Sequence, residues 1–402
     1  MRMSTAGMHN ASINAILDQQ VKMAKTQQQL TTGKKFQTAS DDPIGATRAA
    51  VLDRTLADNA QFEKNSNIIE TRLNYSEKGM ADATTILQRV RELALQGANS
   101  TLGDTERQML ANEVRQNAAA LLDISNRTDA NGEYLYSGTM TNTKPFALTP
   151  SGATYQGDFT NRQVRISPTQ ALADGHTGAD VFMGITEMNG TFATAVGGTN
   201  TGGATIDVGK VSDPTQWVPD NYTIQFTSPT DWQVVDDTLP TPNVIATGTG
   251  FTSGQSITFL GATVTIQGTP ATNDSFTVQP AQKTDMFAML ERLALTLEGS
   301  ASTVTDAAQF SHGIGASIAN LDQALERTST VRADVGSRLS AIDSATATRE
   351  DEAIDLQSLL SDLRDVDYAS AISKLSQQYT GLQAAQAAYT KISQLSLFDY
   401  LR

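Results

Sequence analysis

The sequence predicts an α+β fold: a long helical rod or coiled coil built from both chain ends, with an all-β outer domain inserted between them. Composition changes sharply near residues 141 and 283. Ten of the 11 prolines, both tryptophans, 16 of the 29 glycines and 28 threonines lie between those positions. Only 16 charged residues fall in these 143 positions, against 56 in the 259 that flank them. Proline, glycine and threonine at that density disfavour helices and suit short strands joined by turns. The flanks instead carry sustained three–four apolar spacing, the mark of helices that pack along a stripe. The chain is therefore expected to divide into terminal helices (1–42 with 362–402), a helical rod (43–140 with 284–361) and a β-rich insertion (141–283).

Each element has its own punctuation. The first helix is expected to end at Thr31-Thr32-Gly33, where glycine supplies a left-handed cap. Asp42 then caps the next helix, with Pro43 in its first position. From Ile44 to Gln96, past Gly45 in the first turn, only Gly79 weakens the helix. Gly97 to Gly103 is a turn, and Asp104 is placed to cap the following helix. That helix is expected to stop at Asp129-Ala130-Asn131-Gly132, ahead of a strand-like Glu133-Tyr134-Leu135-Tyr136. Inside the insertion Tyr222–Phe226, Ser256–Phe259 and Ala262–Ile266 alternate at period two, as half-buried strands do.

The C-terminal flank holds the strongest pattern. Steps of three and four run without a slip through Ile318, Leu321, Leu325, Thr328, Arg332, Val335, Leu339, Ile342, Thr346, Arg349, Ala353, Leu356, Leu360 and Leu363. This reads as a coiled-coil seam with four polar interruptions. A shorter seam (Leu73, Met80, Ala83, Leu87, Val90, Ala94) marks the N-terminal side. The chain must leave along one helix and return along the other, so the two should pack antiparallel. With their ends level near 45 and 360, Leu87 should lie near Ile318, Met80 near Leu325, Leu73 near Arg332 and Leu56 near Arg349. Arg332 and Arg349 would then reach out of the seam along their apolar stems, or find acids such as Glu70 or Asp53.

Catalytic chemistry is not visible. The histidines His9, His176 and His312 are isolated, and no serine sits in a G-x-S-x-G elbow. Without cysteine the chain has no disulfide or thiolate metal site. Gly197–Gly203 lacks the Lys-Ser/Thr ending of a phosphate loop and reads as a turn. Asp236-Asp237 and Glu350-Asp351-Glu352 lack calcium-loop spacing and read as solvated faces. No catalytic, cofactor-binding or metal-binding residue is assigned, and no cofactor is expected. A net charge of -14 argues against nucleic acid. No apolar run reaches the ~20 residues of a membrane helix, and the polar N-terminus does not resemble a signal peptide.

The ends carry a different signal. Met8, Ile16, Met23 and Leu30 form one helical stripe; Ile372, Leu375, Tyr379, Leu382, Tyr389 and Ile392 form another, running on to Leu397 and Phe398. No third helix is available to cover both, and wide apolar stripes need partners. These residues are the candidate assembly interface, with other copies of the chain as the expected cover.

At this point a resemblance enters. Leu30–Phe36 followed by Ala39-Ser40-Asp41-Asp42-Pro43, and Arg89–Ala94 with Ala98-Asn99-Ser100-Thr101, resemble the N-terminal blocks of the flagellin family. Asp343–Arg364 and the closing Ala-rich helix resemble its C-terminal half. The resemblance implies a structural subunit of the bacterial flagellum, exported without a cleaved signal by the flagellar type III apparatus with an export chaperone. It also implies terminal helices that form an inner tube. Tyr134–Thr139, Pro145-Phe146, Tyr155–Asp158, Gly178–Phe182 and the ending Ser396–Leu401 are more similar to the family's hook–filament junction branch, with flagellin itself as the alternative. That branch implies other hook-associated proteins and flagellin as partners. The Arg89–Leu93 block and Glu113 also resemble a flagellin segment that engages an innate immune receptor.

Overall fold

Capping sets the first elements. In the computed structural model, which describes residues 5–99, 101–238 and 242–400, α1 (Thr5–Thr32) ends where Gly33 takes φ +69°. Helix α2 (Pro43–Gly97) begins with Gly45 N–H donating to Asp42 Oδ1 at 2.9 Å. It runs through Gly79, where an added Cβ would meet Tyr136 Oη at 2.7 Å. The glycine makes room for the buried phenol, whose hydroxyl faces Ser76 O.

Two boundaries differ from expectation. Helix α3 (Asp104–Ser125) takes Gly103 as its N-cap, and Asp104 sits inside the first turn, paired with Arg107. It also stops four residues before Asp129. Asn126 leaves the helix because its amide pairs with the Phe146 backbone, accepting at 2.9 Å and donating at 3.1 Å. Asp129 Oδ1 accepts from the Asn131 and Glu133 amides and shapes the turn that follows. Glu133–Tyr136 is not a strand: only a Thr128–Tyr134 bridge forms, and Leu135 and Tyr136 turn into the core.

The strands follow: β1 (Phe146–Thr149), β2 (Gly152–Tyr155), β3 (Gln163–Arg165) and β4 (Ala171–Ala173), then α4 (Gly178–Phe182) and β5 (Ile185–Thr186). Next come β6 (Phe192–Val196), β7 (Thr205–Ile206), β8 (Lys210–Val211), β9 (Tyr222–Phe226), β10 (Trp232–Asp236) and β11 (Asn243–Gly248). The set closes with β12 (Ser256–Phe259), β13 (Ala262–Gln267), β14 (Ser275–Pro280) and β15 (Lys283–Thr284). Three helices finish the chain: α5 (Met286–Glu298), α6 (Val304–Arg364) and α7 (Tyr368–Tyr400). The pattern is α+β, as predicted.

All strand pairs described are antiparallel. A five-stranded sheet runs β11-β10-β9-β14-β6; β12-β13-β7, with β8 also on β13, makes a second sheet. Period-two alternation turns Tyr222, Ile224 and Phe226 inward with Val264, Ile266, Phe276 and Val278, and together they form one apolar core. A separate core joins the α2 seam to α3, α5 and α6, and takes in Phe146, Phe182 and Ile185 from the start of the strand region. Helix α5 was not singled out in the sequence, although its signals are plain: Asp285 caps it through the Ala288 amide at 2.8 Å, and Met286, Leu290, Leu293 and Leu297 are buried at three–four spacing.

The chain forms two compact units, 65–343 and 1–64 with 344–402; α2 and α6 contribute to both. Within 65–343 every residue of the shorter seam, Leu73 to Ala94, is fully buried. Leu321, Thr328 and Val335 are buried there too, while Leu325 and Leu339 are half-buried. Helices α2 and α6 run antiparallel, as expected, and Leu56 and Arg349 line one cavity, as the expected register places them. Along it Arg332 reaches Glu77, one turn from Leu73, at 2.7 Å, and Arg91 reaches Asp322 at 2.6 Å. In the other unit Asn59 reaches Glu352 at 3.4 Å. Glu77 replaces Glu70 as the partner of Arg332. Asp53 pairs with Arg364, and Arg349 donates to Thr346 Oγ1 at 2.9 Å.

Candidate assembly surface

The terminal helices of the unit 1–64 with 344–402 lie antiparallel against each other. Gln19 Nε2 donates to Gln378 O at 3.2 Å, and the His9 ring meets the Tyr389 hydroxyl at 2.7 Å. Three–four spacing brings His9, Ile16, Gln19, Met23, Thr26 and Leu30 onto one face of α1. On α7, Ala371, Leu375, Gln378, Leu382 and Tyr389 form the answering face. Much of this seam is polar, and the Gln378 Oε1 atom is buried without a hydrogen bond.

Most of the predicted stripe is therefore partly covered within the chain. Ile16, Met23, Leu30, Leu375 and Tyr389 are half-buried and Leu382 is buried. This corrects the expectation that neither stripe has an internal cover: α1 and α7 cover each other. Ile372 and Tyr379 stay out of the seam, 57% and 55% exposed. The side chains of Met8, Ile392, Leu397 and Phe398 lie outside the described residues.

A second apolar stripe, which the sequence reading missed, is the more available one. Ile13, Leu17 and Val21 follow one another at four-residue steps on α1, and Leu17 and Val21 are 52% and 68% exposed. Ile44 and Val51 on α2 and Ile354 and Leu359 on α6 are also exposed in this unit. The signal was present as a three-member i, i+4 run, but the longer heptad beside it took precedence. Buried apolar residues here, among those described, are only Ala49, Ala371 and Leu382.

The joint between these helices and the rest of the unit is closely bonded. Lys35 N–H donates to Arg364 O at 2.7 Å and Val366 N–H to Gly33 O at 2.8 Å. Asp41 accepts from Lys25 Nζ at 2.9 Å and Thr38 Oγ1 at 3.0 Å. The Lys25 bond, then those from Thr38 and the Gln37 amide, hold its pKa down to about 2.

Nothing else assembles reactive groups among the described residues. No cluster of three or more His, Cys, Asp or Glu is placed to hold a metal, and no helix is long and apolar enough to cross a membrane. The Gly197–Gly203 loop wraps a carboxylate of its own: Asp274, almost fully buried, accepts from the Thr201 amide at 2.8 Å and the Gly202 amide at 3.1 Å. Arg89 is held by Glu113 and Glu92.

Comparison with known proteins covers both the helices and the insertion. Residues 3–141 match the bacterial flagellin N-terminal helical region, and 318–401 the flagellin C-terminal helical region. Residues 196–280 match the D2-like domain of flagellar hook-associated protein 1. Flagellar hook-associated protein 3 of Escherichia coli (strain K12) is 25% identical over 400 residues, 99% of each chain. The crystal structure of Xanthomonas campestris FlgL superposes with a TM-score of 0.72 at 30% identity, covering 77% of this chain and 99% of that one. The flagellar junction protein FlgL from Legionella pneumophila gives 0.71 at 28%, covering 79% and 100%.

Proposed function

The chain belongs to the flagellar hook-associated protein 3 (FlgL) family, and from there we propose that it connects the hook to the flagellin filament, assembling with further copies of itself through its terminal helices. It is a structural subunit of the flagellum, not an enzyme. The observation that carries the junction reading over bulk flagellin is the middle of the chain. The two flagellin family models fall on the helical ends, whereas the hook-associated protein match runs end to end and the insertion resembles a hook-associated domain.

Assembly would bury the faces left open on the terminal pair. Ile13, Leu17 and Val21, with Ile372 and Tyr379, supply apolar area that solvent now covers, worth about 25 cal/mol per Å² once removed from water. The residues from the predicted stripe that are half-buried, Ile16, Met23, Leu30, Leu375 and Tyr389, hold the pair together and finish burying in the same step. In this reading 1–42 with 362–402 lines the tube, 43–140 with 284–361 surrounds it, and 141–283 faces outward. Hook-associated proteins and flagellin are the neighbours on either side. Export without a cleaved signal, with a chaperone shielding the apolar ends, completes the proposal.

Deleting the gene tests it. Cells should keep hooks, lose filaments and release flagellin into the medium, and the intact gene should restore filaments. Filaments of normal length in the deletion strain would refute the junction role.

A further inference from the structure

The joint at the base of the terminal helices is closed by backbone. Lys35 N–H to Arg364 O and Val366 N–H to Gly33 O flank an antiparallel pair, Lys34 with Asp365. That geometry is the non-hydrogen-bonded pair of a two-stranded ladder, whose Cα atoms lie about 4.5 Å apart. Lys35 Nζ also donates to Asp362 O, and Gln29 Nε2 to Lys35 O at 2.6 Å, so α1 is tied to the same ladder. Gly33 sits at φ +69°, and an added Cβ there would lie 2.9 Å from Tyr368 Oη, the first residue of α7.

The two connections through this joint are unequal. Residues 365–367 join α6 to α7, whereas 33–42 join α1 to α2. The longer one is folded back on itself through Asp41, which holds Lys25 of α1 and Thr38 of the loop. Three helix ends thus converge on one short ladder, while the fourth, the start of α2, is reached through 36–42, which side-chain bonds from Lys25 and Gln28 hold to α1.

We propose that this ladder is a clamp that makes the two ends of the chain one lever: α1 and α7 turn together about 365–367, stay clamped through assembly, and 36–42 takes up the change. The clamp rests on the terminal helices being the assembly elements, but it is testable without that reading. In two separate helices joined to a common body, a load on one end would strip that helix alone. Here neither can leave without breaking the ladder that holds the other.

The chain has no cysteine, so Lys34→Cys with Asp365→Cys introduces a single thiol pair at a spacing that a disulfide spans without strain. In the purified full chain, mild oxidation is expected to close this bridge and to leave amide exchange in α1 and α7 as slow as in the wild type, or slower. Gly33→Val, which puts a branched side chain at positive φ against Tyr368, is expected to speed exchange in α1 and α7 together, severalfold, and to leave 65–343 unchanged. A bridge that fails to form, or faster exchange in only one of the two helices, would overturn the clamp whatever the protein's role. In cells, the oxidised double variant is expected to support filaments as the wild type does. A loss of filaments that reductant restores would show that the ladder must open, and would also overturn it.

Discussion

Residues 65–343 and the rest of the chain share α2 and α6, yet they bury different things. In 65–343 the seam from Met80 to Ala94 is sealed beneath α3, α5 and α6, and a second core fills the strand domain. In 1–64 with 344–402 the same α6 seam continues through Ala353, Leu356, Leu360 and Leu363, but those positions are only half-buried. The terminal pair closes over a polar seam and leaves Leu17, Val21 and Ile372 in solvent. Heptad spacing reports which face will pack. Whether the cover comes from the same chain depends on how many elements are at hand, and only one of the two units has enough.

The largest effects should fall in the sealed unit. Arg72, 4% exposed, holds Asp129 at 2.7 Å and Asp174 at 3.3 Å, both carboxylates also buried. Arg72→Ala leaves buried Asp129 with only its backbone partners and Asp174 with Arg162 alone, and should cost about 3 kcal/mol by denaturant unfolding. Leu87→Ala, at a site with no exposure, should cost ~2–5 kcal/mol. Leu325 and Leu339 are half-buried and should cost less than Leu87 does. If Leu356→Ala in the open unit destabilised the free chain as much as Leu87→Ala, the contrast between the units would be lost.

Next in size is a split between stability and assembly. Leu17→Lys should change the free chain's stability by no more than ~0.5 kcal/mol, as surface changes do, and yet abolish filaments. A monomer that unfolds, or filaments that persist, would each break the comparison. Proteolysis offers a coarser view of the same contrast: the free chain should be trimmed at both ends before 65–343 is cut.

The smallest predicted effect is a pH dependence confined to the sealed unit. Burial, and then the Arg338 charge, push the His176 pKa below its ordinary 6.5, against the pull of Asp334 at 3.0 Å. The folded state therefore favours the neutral ring. Its contribution is fully present above pH 6.5 and declines as pH falls through that value toward the lower folded pKa. His176→Gln should flatten that slope in unfolding curves measured on either side of pH 6.5.

Legibility followed physics. Starts and stops set by local chemistry, such as Gly33, Asp42 and Pro43, could be read directly, as could strands with strict alternation such as Tyr222–Phe226. The end of α3 could not, because Asn126 leaves the helix to pair with Phe146, twenty residues away. The antiparallel course of α2 and α6 could be read from the chain's need to return, but the acid taken by a seam arginine, Glu77 and not Glu70 for Arg332, could not. On the terminal pair the seam residues Ile16, Met23, Leu375 and Leu382 were visible as a heptad stripe. Their pairing with one another was not, and so the outward Ile13–Leu17–Val21 run was overlooked.

The central claim is that the faces left open on the terminal pair are covered by other copies. With no native cysteine, Leu17→Cys gives one thiol on the exposed stripe. Its alkylation rate should be compared in the purified free chain and in sheared flagella from cells whose filaments that variant supports. The account predicts fast reaction in the free chain and strong protection in the assembled one. Equal rates in both would contradict it.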